Sequence, residues 1–159
     1  VYEKPGYLWV FKLFKDDEPY VWFFKYCKAN KNNPHVPRIR GNLIKISDDT
    51  FCIRMEKLTP MPENSELYAA IRRTLLQLED DVFTGVPDPR GWRPGEKEQK
   101  LRIEAREFIR HSYPKLFKVL HDLASHGTDW ELDLHEANVM MRGNVPVITD
   151  PITETSLGY

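Results

Sequence analysis

Asp133, Asn138 and Asp150 are the residues whose types and spacing offer chemistry. The stretch Asp133-Leu134-His135-Glu136-Ala137-Asn138 is followed by two short β-forming runs, Val139-Met140-Met141 and Val145-Pro146-Val147-Ile148, and then by Thr149-Asp150. A hairpin turning at Arg142-Gly143-Asn144 returns the chain on itself, so Asn138 before it and Asp150 after it face each other across its open end. One carboxylate and one amide oxygen, completed by phosphate oxygens and water, suit the hard, near-octahedral preference of magnesium. Asp133 could then meet a hydroxyl beside a metal-bound phosphate, accepting its proton or holding it in line. An aspartate alone is usually a turn or cap residue. The combination with Asn138 and the intervening hairpin carries the reading.

The elements that must position these groups follow from periodicity. Tyr7 to Phe14 is rich in β-formers and reads as a strand, with Lys12 on the face of Val10 and Phe14 and with Trp9, Phe11 and Leu13 on the other. Asp16, Asp17 and Glu18 before Pro19 start a mostly buried helix that carries Val21-Trp22-Phe23-Phe24 and Tyr26-Cys27 and ends near Asn30. Leu43 to Ile46 and Thr50 to Met55, joined at Asp48-Asp49, form a hairpin. Pro60 and Pro62 mark a crossing, after which Leu67, Ile71, Leu75 and Leu78 recur at helical spacing with Ser65 as cap. The segment from Gly85 to Gly95 reads as a loop. Leu101 to Ile109 forms a second helix, and Leu116 to Leu123, ended by Gly127, a third. The expected class is α+β, with residues 1–57 as one small lobe, 58–64 as a linker and 65–159 as a mainly helical second lobe.

Asp133 with Asn138 five residues later and Asp150 beyond the hairpin resembles the catalytic and metal-binding loops of the eukaryotic-like protein kinase superfamily. Asp133-Leu134-His135 is closer to the aminoglycoside phosphotransferase branch. Asn138-Val139-Met140, Val145-Pro146 and Ile148-Thr149-Asp150-Pro151 most resemble the early serine/threonine protein kinases of short-tailed bacteriophages. This similarity covers about 20 residues, with weaker likeness at Val10-Phe11-Lys12 and over 53–58. It implies a truncated bilobal kinase-like fold that binds ATP and Mg2+ and phosphorylates serine or threonine of a protein substrate or host protein. Asp133 would be the catalytic aspartate, Asn138 and Asp150 the metal ligands, and Lys12 the contact to the α/β-phosphates. His135 would brace the loop, and the backbone near Glu56 and Leu58 would receive the adenine.

The sequence departs from that pattern in several places. Pro151-Ile152 stands where many kinases have Phe-Gly, and no glycine-rich loop precedes Lys12, since Gly6 is the sole glycine before it. The acidic partner of Lys12 is undefined, Glu18 being the nearest candidate. A start at Val1 and an end at Tyr159 read as a kinase fragment. The alternatives are a catalytically weak or inactive kinase-like interaction module and a small-molecule phosphotransferase.

Composition bounds the rest. The 24 acidic and 23 basic residues leave a formal charge of −1, which gives no reason to place nucleic acid or an anionic membrane first among partners. The basic run Lys25, Lys28, Lys31, Arg38 and Arg40 reads as a solvated surface. His111, His121, His126 and His135 match no compact zinc spacing. Cys27 and Cys52 lie in apolar runs and read as reduced thiols. With no secretory signal and no apolar run near the roughly 20 residues that span a bilayer, the expected location is cytoplasmic, in a bacterial host if the phage resemblance holds.

Overall fold

The computed structural model describes residues 2–3, 6–15, 18–62, 64–82, 94–126 and 130–154. The fold is mixed α+β, with antiparallel sheets and, among the described residues, four helices. The chain divides into two compact units, one of residues 1–61 and 128–159 and the other of residues 62–127. Most of the expected loop from Gly85 to Gly95, and the expected helix stop at Gly127, lie outside the described residues.

The first unit is built on a four-stranded antiparallel sheet of β1 (Tyr2–Glu3), β2 (Trp9–Lys15), β4 (Thr50–Glu56) and β3 (Ile39–Lys45), in that spatial order. Strand β2 alternates as its sequence requires: Val10 and Phe14 are buried, whereas Phe11, Leu13 and Lys15 are exposed. Opposite Val10, Lys12 and Phe14 stand Met55, Ile53 and Phe51 of β4. Strand β3 slips register between Arg40 and Ile44, where Gly41 takes a φ of 80° that a side chain would disfavour.

Helix α1 (Glu18–Ala29) starts with an acidic residue in its first turn and ends with Lys28 in its last, both matched to the helix dipole. It buries Tyr20, Phe23, Phe24 and Cys27, and the Tyr20 ring meets Phe14 edge-on at 4.7 Å. Both cysteines are free and buried. Burial pushes the Cys27 thiol far above its ordinary range. The unfolded chain would therefore lose a proton near pH 8.5 that the folded chain keeps. The Cys27 contribution is fully present below that pH and is lost above it, by about 1.4 kcal/mol per pH unit. Urea midpoints between pH 8 and 10 should show this slope, and Cys27→Ala should flatten it, lowering stability most at pH 8 and progressively less toward pH 10.

The same unit holds β5 (Thr59–Pro60), β7 (Val139–Arg142) and β8 (Val145–Ile148) in one sheet, and β6 (Trp130–Leu132) with β9 (Ile152–Glu154) in another. Thr59–Pro60 is thus a short strand on β7. Gly143 turns the β7–β8 hairpin with a φ of 58°. Pro146 sits on β8, an edge strand, where its missing N–H costs no ladder bond.

The second unit contains α2 (Glu66–Val82), α3 (Glu96–Ser112) and α4 (Pro114–Ala124). Its core takes Ile71, Leu75 and Leu78 from α2, Ile109 from α3, and Leu116, Val119, Leu120 and Leu123 from α4. Tyr113 leaves helical geometry between α3 and α4, and Pro114 opens the second of them. No described helix is long and apolar enough to cross a membrane.

Candidate functional site

Two backbone hydrogen bonds join the loop over 133–138 to the segment over 149–151. Asp133 N–H donates to the Pro151 carbonyl at 2.8 Å, and Thr149 N–H donates to the Asn138 carbonyl at 2.9 Å. They continue the pairing of Leu132 with Ile152 on one side and of Val139 with Ile148 on the other. Asp150 therefore lies between two rungs whose opposite ends are Asp133 and Asn138. The backbone segments that carry Asp133, Asn138 and Asp150 therefore run side by side.

Asn138 is buried at 6 % exposure, and its Nδ2 donates to the Asp133 carbonyl at 2.6 Å. A carbonyl only accepts, so the contact identifies the amide nitrogen and leaves Oδ1 as the end that can serve a cation. Among the described residues no donor engages that oxygen. His135 braces the loop from inside. Its carbonyl accepts from Asn138 N–H at 2.9 Å, and its Nδ1 accepts from Ala137 N–H at 3.2 Å. With Nδ1 accepting, the neutral ring carries its proton on Nε2, 3.7 Å from Asp133 Oδ2.

Lys12 points to the inner face of its sheet, its side chain only 16 % exposed. Its Nζ donates to Asp150 Oδ2 at 2.5 Å, across 138 residues of sequence. The same ammonium lies 3.7 Å from the centroid of the Tyr20 ring, where the negative face of the π-system attracts it. Its partners are a carboxylate and an aromatic face. Glu18, the acidic candidate from sequence, stands exposed at the start of α1.

Glu56 is 8 % exposed and forms a two-pronged ion pair with Arg142 of β7, Nε to Oε2 measuring 2.9 Å. Its Oε1 also accepts from Arg38 N–H at 2.7 Å. Arg142 further donates to the carbonyls of Pro34 at 2.7 Å and Val36 at 3.1 Å. This side-chain role is separate from the backbone contact to adenine expected of Glu56. Leu58 follows it, buried just before β5. A second anchor of the hairpin is His35, whose Nδ1 donates to the Pro146 carbonyl at 2.8 Å and whose own carbonyl accepts from Ile148 N–H at 3.0 Å.

Tyr20, Arg142 and His35 are the site-supporting residues that sequence reading misses. Tyr20 is one aromatic among several in an apolar helix, and Arg142 sits where a turn is expected. The partners of Arg142 and His35 are distant in sequence, and Tyr20 meets Lys12 only once the helix packs on the strand, so no local pattern marks them.

The donor set fits magnesium better than a softer metal. Among the described residues there is no group of three or more His, Cys, Asp or Glu side chains able to hold an ion. A cation here would depend on one carboxylate, one amide oxygen and ligands from a phosphate or water, which is the usual situation for magnesium. No protein-family model, curated protein or solved structure matches the chain.

Proposed function

We propose that the first unit carries a kinase-type site transferring the γ-phosphoryl group of magnesium-bound ATP to a serine or threonine hydroxyl of a protein, within a kinase-like fold. The observation that carries this reading is the Lys12–Asp150 contact at 2.5 Å, made where Asp133 and Asn138 are laced to the segment holding Asp150. A phosphate-binding cation and a metal-binding carboxylate must be neighbours if both act on one triphosphate.

Each residue then has a definite task. Asn138 Oδ1 and the Asp150 carboxylate would hold magnesium, which when bound neutralises charge on the β- and γ-phosphates. A carboxylate offers about four acceptor sites, so the contact with Lys12 does not exhaust Asp150. Lys12, held against the Tyr20 ring, points its ammonium to the same place and would meet phosphate oxygens there. Asp133, 47 % exposed at its side chain, can reach an incoming hydroxyl. It accepts the hydroxyl proton as the oxygen bonds to the γ-phosphorus and the bond to the departing ADP oxygen breaks. His135 Nε2 lies 3.7 Å from the Asp133 carboxylate, on the loop side.

Incubation with γ-labelled ATP, magnesium and a mixture of serine- and threonine-containing proteins tests the reading. Label should pass to protein with the native sequence and fall by about 10² to 10⁴ in Asp133→Asn. Equal incorporation by the native protein, Asp133→Asn and Asp150→Asn would remove the catalytic assignment. Transfer to an aminoglycoside instead of protein would move the proposal to a small-molecule phosphotransferase.

A further inference from the structure

We infer that the outer face of the β1-β2-β4-β3 sheet docks an acidic protein segment that also carries apolar side chains. Strand alternation sets this face opposite the one bearing Lys12, so the inference does not rest on the phosphotransfer reading.

Cross-strand partners share a face, and one row runs across all four strands: Tyr2 opposite Phe11, Phe11 opposite Arg54, and Arg54 opposite Arg40. Tyr2 is 67 % exposed and Phe11 45 %. In the adjoining row Leu13 and Ile44 both stand opposite Cys52 and are exposed as well. Exposed apolar side chains thus recur on one face of β1, β2 and β3, and a large exposed apolar patch marks an interaction site.

The arginines give the partner its charge. Like charges directly opposite on a sheet repel each other. The Arg40 and Arg54 guanidinium carbons each lie 5.8 Å from the centroid of the Trp9 ring, on the same face. The ring steadies both cations but neutralises neither. Among the described residues no carboxylate pairs with them, although farther along the sheet Lys15 lies 3.8 Å from Asp49 and Lys45 lies 3.5 Å from Asp48. Among the described residues, Arg40 and Arg54 have no carboxylate partner on this platform. Carboxylates from a partner would relieve their repulsion while its apolar side chains cover Phe11, Leu13 and Ile44.

Aromatic residues with arginine are the composition of protein interface cores. A platform for single-stranded nucleic acid would share the aromatics and the charge, but it gains little from exposed Leu13 and Ile44, which offer no face for stacking. The aliphatic neighbours favour a protein segment.

Fluorescence anisotropy with three labelled probes tests this: a synthetic peptide alternating Glu with Leu and Phe, the same peptide with Gln for Glu, and an oligothymidylate. The Glu peptide should bind about tenfold more tightly than the Gln peptide. Its affinity should fall as salt shortens the Debye length from about 30 to 8 Å. Combined Arg40→Gln and Arg54→Gln should remove the preference for Glu, whereas Arg110→Gln in the second unit should leave it. The inference is overturned if neither peptide binds, if both bind equally, if the oligothymidylate binds more tightly, or if a folded double variant keeps the preference. Should that variant fail to fold, the Glu and Gln peptides on the native protein decide the question.

Discussion

Replacing Asp150 with Asn is expected to lower phosphotransfer by about 10³, within the range expected for Asp133→Asn. The substitution keeps shape and removes only charge. It takes away the carboxylate that would hold magnesium and the partner to which Lys12 Nζ donates at 2.5 Å. Lys12→Met should cost about 10² by itself. The two changes together should cost little more than Asp150→Asn alone, because both act on the same phosphates and groups that work as a unit are not additive. Steady-state rates of the two single variants and the double variant check this. Multiplying losses would mean that Lys12 and Asp150 serve separate functions, and their contact would then be only structural.

The second large effect concerns stability. Arg142→Met should destabilise the protein by about 3–5 kcal/mol, since it leaves the Glu56 carboxylate buried without its cation. It also removes the donors to the Pro34 and Val36 carbonyls. Changing both Glu56 and Arg142 to apolar residues of similar size should recover part of the loss, because no buried charge is then stranded. Urea unfolding of the two single variants and the double variant separates these effects. A shift below about 1 kcal/mol in Arg142→Met would show that the hairpin does not depend on this anchor.

Much of this was legible because it is local. The alternation of Val10, Lys12 and Phe14 placed the lysine on the face of two core residues, and that face is the inner one. The helical spacing of Ile71, Leu75 and Leu78, and the proline and tyrosine at 113–114, set helices close to those observed. The hairpin over 139–148 was legible from its two apolar runs and the glycine between them. What stayed hidden depends on distant partners. Strands β1 and β5 have two residues each and carry no period; they exist because β2 and β7 offer open edges. Thr59–Pro60 reads as a linker for that reason. The Glu56–Arg142 pair spans 86 residues, and the Tyr20 ring beneath Lys12 looks like any core aromatic until the helix is docked. The irregularity after Arg40 hides the Arg40–Arg54 opposition, because a regular β3 would set the register differently.

The central claim, that Asn138 and Asp150 grip one divalent ion on ATP, is tested most directly by electron paramagnetic resonance with Mn2+ in place of magnesium, since both take hard oxygen ligands. Titrating the protein into Mn2+ with ATP should convert the free-ion signal to a bound one. Asn138→Ala and Asp150→Asn should each weaken that binding by about tenfold or more. Equal binding by the native protein and both variants, or no ATP-dependent binding by the native protein, would contradict the account.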